Sequence, residues 1–97
     1  MNLEIIPAAV TDINDIAHYY RSHRESLDDE FLAEVAAGAV AIADNPLRFN
    51  QVRLGIRRYM LDRFPYGIYF RVMDAGIVRI IVVKHHSRGP GLGMRRK

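Results

Sequence analysis

The sequence predicts an α+β fold of order β-α-α-β-β-β, in which a helical hairpin packs on a small, mainly antiparallel sheet. Two consecutive stretches carry apolar residues at steps of three and four, and three later stretches are rich in β-branched and aromatic residues. A short apolar run precedes them all.

Asn2 to Ile6 reads as the first strand, with Leu3, Ile5 and Ile6 ended by Pro7. Val10, Ile13, Ile16, Ala17 and Tyr20 then recur at helical spacing, with Asp12, Asn14, Asp15 and His18 in the gaps. Ser26 with Asp29 resembles a capping box and opens a second helix, whose apolar stripe is Phe31, Leu32, Val35, Ala36, Ala39, Ile42 and Ala43. Asn45 and Pro46 stop it, because proline cannot continue a helix and disfavours helical geometry just before itself. The few residues from Ser22 to Ser26 make the two helices an antiparallel hairpin, and the alanines of the second permit close packing.

From Ile56 onward the strand formers gather in three runs: Ile56 to Arg63, Tyr66 to Met73, and Ile77 to His85. Phe64-Pro65 separates the first two. Asp74-Ala75-Gly76 makes a tight hairpin turn between the last two, with glycine available for positive φ. The last strand is apolar on both faces apart from Arg79, which places it at the centre of the sheet. Residues 87–97, rich in glycine and basic side chains, are expected to form an irregular, flexible basic tail.

A chain of 97 residues supports one hydrophobic core, so residues 1–97 are expected to form a single domain. The absence of cysteine excludes disulfides, thiolate metal sites and thiol nucleophiles. No secretory leader and no run of about 18 apolar residues is visible, so a cytoplasmic protein without membrane contact is expected. Charge is divided sharply: the stretch to Pro46 holds two basic residues against nine acidic, net −7, and the stretch from Leu47 holds twelve against two, net +10. Such asymmetry points to a cationic face that meets nucleic acid or an acidic protein.

Within the basic half, the order of four motifs is informative: Arg57-Arg58-Tyr59, Arg63-Phe64-Pro65-Tyr66, Ile68-Tyr69-Phe70-Arg71-Val72 and Val83-Lys84-His85-His86-Ser87-Arg88. Together with the length and with a helix pair carrying Asp15-Ile16 and Tyr19-Tyr20, they resemble the RelE/ParE superfamily of toxins from type II toxin–antitoxin modules, often labelled plasmid stabilisation proteins. The resemblance covers nearly the whole chain and rests on the joint order of the motifs. It implies a cognate antitoxin, with which the toxin forms a hetero-oligomer, and one of two targets, or else a degenerate member that binds only its antitoxin. RelE-like members cut messenger RNA on the ribosome with basic side chains and a late tyrosine. ParE-like members poison DNA gyrase and do no chemistry themselves. Where ribonuclease members carry an arginine and a tyrosine, this chain carries Gly67 and Leu92, with a second basic position near His86. The resemblance therefore favours the gyrase-inhibiting kind.

Candidate contact residues for gyrase or antitoxin are Arg57, Arg58, Arg63, Tyr69, Arg71, Lys84, His86 and Arg88. Strand alternation places Arg71 with Tyr69 opposite Ile68, Phe70 and Val72, so both face away from the helices. If the chain is a nuclease, Lys84, His85, His86 and Arg88 are the acid–base and phosphate-holding candidates, because histidine moves protons near neutral pH. His85 and His86 point to opposite faces of a strand, so only one shares a face with Lys84. Tyr19 and Tyr20 read as core and hairpin packing. His18, His23, His85 and His86 lack neighbouring carboxylates at metal-binding spacing, and the glycines at 89, 91 and 93 lack the lysine of a phosphate loop. No metal or other cofactor is expected.

Overall fold

A computed structural model describes residues 1–89 and 91–97. The chain runs β1 (Asn2–Ile5), α1 (Pro7–His23), α2 (Leu27–Asp44), β2 (Gln51–Arg53), β3 (Ile56–Met60), β4 (Tyr66–Val72) and β5 (Ile77–His85). The strands form one sheet of order β1-β5-β4-β3-β2, in which only β1 and β5 are parallel. The α+β hairpin-on-sheet reading holds. A fourth strand after the helices, β2, joins the three expected there, and β3 stops at Met60 rather than reaching Arg63. Gln51–Arg53 is too short to show alternation, and Gly55 at φ 78° turns it back onto β3.

Pro7 starts α1 because its missing N–H is an orphan donor in the first turn anyway. Helical spacing then brings Ala9, Ile13 and Ala17 to the buried side, and in α2 it does the same for Phe31, Val35, Gly38 and Ile42. The expected capping box is not formed: Ser26 is left-handed at φ 71° and makes no side-chain cap bond. An N-cap side chain needs extended backbone at its own residue, and the three-residue link between the helices takes Ser26 out of that region. Asp28, Asp29 and Glu30 instead complement the positive end of α2, and Arg24 ties Glu30 at 2.8 Å.

The main core lies between the hairpin and one face of the sheet, where Phe31, Ile42, Ile68, Phe70, Val78 and Ile80 are fully buried. Each such side chain contributes about 1.5–3 kcal/mol by leaving water. Gly38 sets the spacing of the layers. A Cβ there would stand 2.8 Å from the Tyr59 ring and 2.9 Å from Ile68 Cδ1, so glycine lets β3 and β4 approach the middle of α2. Tyr20 is half-buried among Phe31, Phe64 and Tyr66, in edge-on and tilted contacts with centroids 4.9–6.0 Å away. Its neighbour Tyr19 is 53% exposed, contrary to its expected packing role, because the helical turn rotates it off the apolar stripe.

β5 has neighbours on both sides, as its two apolar faces predict. The pairing of β4 with β5 shifts between Tyr69 and Phe70, and Ile81 and Val82 both reach the face away from the helices. There they form a second cluster with Ile56, Tyr69 and Met94. Between β4 and β5, both Ala75 at φ 62° and Gly76 at φ 73° are left-handed, one more such residue than the glycine alone led us to expect. No helix among the described residues is long and apolar enough to cross a membrane.

Candidate functional site

The segment 91–97 has no regular strand or long helix, yet it lies against the far face of the sheet. Met94, 5% exposed, seats in the cluster of Ile56, Tyr69, Ile81 and Val82. Gly93 permits this at φ 73°, since a Cβ would stand 2.7 Å from Val82 Cγ2. Arg96 passes the sheet's edge to donate to Asp12 Oδ2 at 2.6 Å and to the Ile81 carbonyl at 3.0 Å. Asp12 Oδ2 also accepts the Val83 N–H at 3.1 Å, so one carboxylate joins α1, β5 and the chain end.

Two clefts flank the end of β5. The first, about 480 Å³, opens between α1 and the β4–β5 edge and is lined by Asp15, Ile16, Tyr19, Tyr66, Lys84, His85, Ser87 and Arg88. His85 Nδ1 accepts the Ser87 N–H at 3.1 Å, which leaves the neutral ring's proton on Nε2. The second cleft, about 320 Å³, lies on the far face and is lined by Val52, Arg53, Arg58, Tyr69, Lys84, His86, Arg88 and Met94. His85 and His86 thus divide between the two, as strand alternation requires, while Lys84 and Arg88 border both.

Lys84 is the fixed point between the clefts. Its ammonium sits 5.0 Å over the Tyr69 ring and donates to the carbonyls of Gly89 at 3.3 Å and Leu92 at 2.9 Å. Burial, and then the nearby positive charge of Arg53, hold its pKa below the ordinary lysine value.

Of the contact residues read from sequence, Arg58, Tyr69, Lys84, His86 and Arg88 meet in the far-face cleft. Arg71 lies on the same face, but its Nε and Nη2 donate to the carbonyls of Arg96 and Met94, both at 3.3 Å. Arg57 turns to the helix side and donates to the Phe49 carbonyl at 2.6 Å. Arg63 lies away from both clefts, held by Glu34 at 2.9 Å and Glu30 at 3.1 Å, where it pins the 61–65 loop to α2. Sequence reasoning missed Arg53, Asp12 and Arg96. Gly55 just after Arg53-Leu54 was the available signal of a turn that returns Arg53 to the cleft.

Comparison with known proteins agrees with this fold. The fold superposes on a chain of the chromosomal ParDE TA system from P. aeruginosa with TM-score 0.78 and 17% identity, over 88% of this chain and 95% of that one. The isolated E. coli RelE toxin matches with TM-score 0.55 and 14% identity, over 92% of this chain and 87% of that one. A search of curated proteins finds no significant match. The family described as ParE toxin of type II toxin-antitoxin system, parDE, matches residues 3–90, and the chain belongs to that family.

Proposed function

We propose that this toxin inhibits DNA gyrase by direct contact through its cationic far face, and that a cognate antitoxin neutralises it by covering that face. The observation that carries the reading is the position that faces Lys84 across the β4–β5 pair. Gly67 pairs there with Lys84, and even a Cβ at Gly67 would stand 3.0 Å from the Tyr69 ring and 3.2 Å from Met60 Sδ. Metal-free cleavage of a phosphodiester needs a group that moves a proton as well as donors around the developing charge. Donors abound in the far-face cleft. Of its lining residues His86 is the one histidine, and among the described residues no hydrogen bond orients its ring.

Membership of a type II family implies an antitoxin partner, and the division of charge along the chain suits one with acidic segments, which the basic face would draw in quickly. The test is a supercoiling assay with purified gyrase beside a ribosome-dependent messenger RNA cleavage assay. The protein is expected to block supercoiling and to leave messenger RNA intact, and Arg58→Ala/Arg88→Ala is expected to weaken the block several-fold. Cleaved messenger RNA with unaffected gyrase would refute the proposal and support the endonuclease alternative, which the convergence of Lys84, His86 and Arg88 favours.

A further inference from the structure

Arg53, Arg58, Lys84, His86 and Arg88 share one concave cleft, and no carboxylate lines it. Elsewhere Arg21, Arg24, Arg63, Arg79 and Arg96 each meet an Asp or Glu within 4 Å. Among the described residues, the side chains of Arg53, Arg58 and Arg88 have no such partner. Three guanidinium groups without a carboxylate partner thus border this one cleft, whereas Arg57 and Arg71, which also lack one, donate to backbone carbonyls. Concentrating like charge is unfavourable in the free protein, and burial first, with the charge of Arg53 second, depresses the pKa of Lys84 there.

The cations are carried by strands from across the sheet, and their side chains meet in one cleft. Arg53 is on β2, Arg58 on β3, and Lys84 at the end of β5. β2 and β5 are three strand spacings apart in the sheet, about 14 Å. A single carboxylate brings one charge to Arg53, Arg58, Lys84 and Arg88, whereas a polymer with one negative charge per unit brings several. Lys84 is held by two carbonyls, which leaves one of its three ammonium N–H groups uncommitted.

We infer that the far-face cleft binds the phosphodiester backbone of a nucleic-acid strand, with Arg53, Arg58 and Arg88 on successive phosphates and Lys84 as the fixed cation beneath them. The inference rests on the reading of this face as the toxin's contact surface and adds that the contact includes a strand. Planar guanidinium forks match phosphate oxygens two at a time. The charges of a strand belong to its backbone, while the carboxylates of an acidic peptide lose rotamer freedom on every stem they fix. Tyr69, 4% exposed beneath Lys84, offers no open face for a base to stack on, so the contact is to backbone and independent of base sequence.

The test is fluorescence anisotropy of a short labelled DNA single strand, an RNA strand of the same sequence, and a poly-glutamate competitor, across a salt series. Wild type is expected to bind the strands with affinity that falls steeply with salt. Arg53→Ala/Arg58→Ala should weaken binding about tenfold and reduce the log–log salt slope by about 1.4, at about 0.7 per phosphate contact on a single strand. Arg21→Ala/Arg48→Ala, which removes the same charge elsewhere, should retain the slope. Thermal unfolding of the Arg53→Ala/Arg58→Ala protein, unchanged from wild type, would confirm that it folds. A preference for DNA or for RNA names the source of the phosphodiester. The inference is overturned by an absence of salt-dependent binding, by an unchanged slope in Arg53→Ala/Arg58→Ala, or by poly-glutamate competing as well as DNA. Strand binding without gyrase inhibition would refute the gyrase proposal and leave this inference standing.

Discussion

Removing the carboxylate of Asp12 is expected to destabilise the protein more than any other single change at its surface. Asp12 Oδ2 receives the Arg96 guanidinium at 2.6 Å and the Val83 N–H at 3.1 Å, and the two side chains of the pair are only 20% and 29% exposed. A fully exposed pair is worth about 0.2–1 kcal/mol, whereas breaking a buried one costs about 3–5 kcal/mol, and this pair lies between. We expect a coupling of about 1–2 kcal/mol in a double-mutant cycle of Asp12→Ala and Arg96→Ala. Asp12→Ala also strips the Val83 N–H of its acceptor in a residue that is 2% exposed, which adds about 1–2 kcal/mol. The single variant should therefore lose about 3 kcal/mol, on the order of 15 °C in Tm for a chain of this size. Arg96→Ala should lose roughly half as much, and Asp12→Asn, which keeps an acceptor, should recover part of the loss. The assay is urea unfolding followed by circular dichroism, with unchanged m-values as the check that only stability moved. A coupling below about 0.5 kcal/mol, or equal losses from the two single variants, would refute the idea that one carboxylate joins α1, β5 and the chain end.

Gly38→Leu must push a side chain into the Tyr59 ring and Ile68, with a Cβ already 2.8 and 2.9 Å from them, and is expected to cost about 1–3 kcal/mol in urea unfolding. Glu34→Ala removes the acceptor of the Asp62 and Arg63 N–H groups, at 2.9 and 3.1 Å, so exchange of those two amides should quicken about tenfold in hydrogen-exchange NMR while β5 stays protected. Burial, with a smaller contribution from Tyr66, raises the pKa of the Tyr20 phenol above its ordinary value. A raised folded-state pKa means that its contribution is complete below the unfolded value near 10 and is lost as pH rises above it. Stability measured from about pH 9 to pH 11 should accordingly fall in wild type and flatten in Tyr20→Phe.

Much of the fold was legible because it follows from local pattern. The three-and-four spacing from Val10 to Ala43 and the alternation of Ile68, Phe70 and Val72 against Tyr69 and Arg71 determine which side of each element meets the core. The all-apolar run from Ile80 to Val83 likewise determined that β5 would sit between neighbours. β2 escaped notice because three residues carry no period, and the capping box misled because the geometry of a short link overrode the preference of Ser26.

The sequence by itself determined that the basic charge falls in the second half of the chain and that Tyr69 and Arg71 share a face. Only the tertiary structure decided which of those charges are free to act. Arg63 is neutralised by carboxylates on α2, and Arg71 is capped by carbonyls of the chain end, whereas Arg53, Arg58 and Arg88 converge on one cleft. The physical reason is that hydrophobic periodicity is a property of neighbours along the chain, whereas ion pairing acts through space. Asp12 and Arg96, 84 residues apart, meet only because the sheet and the seat of Met94 bring them together.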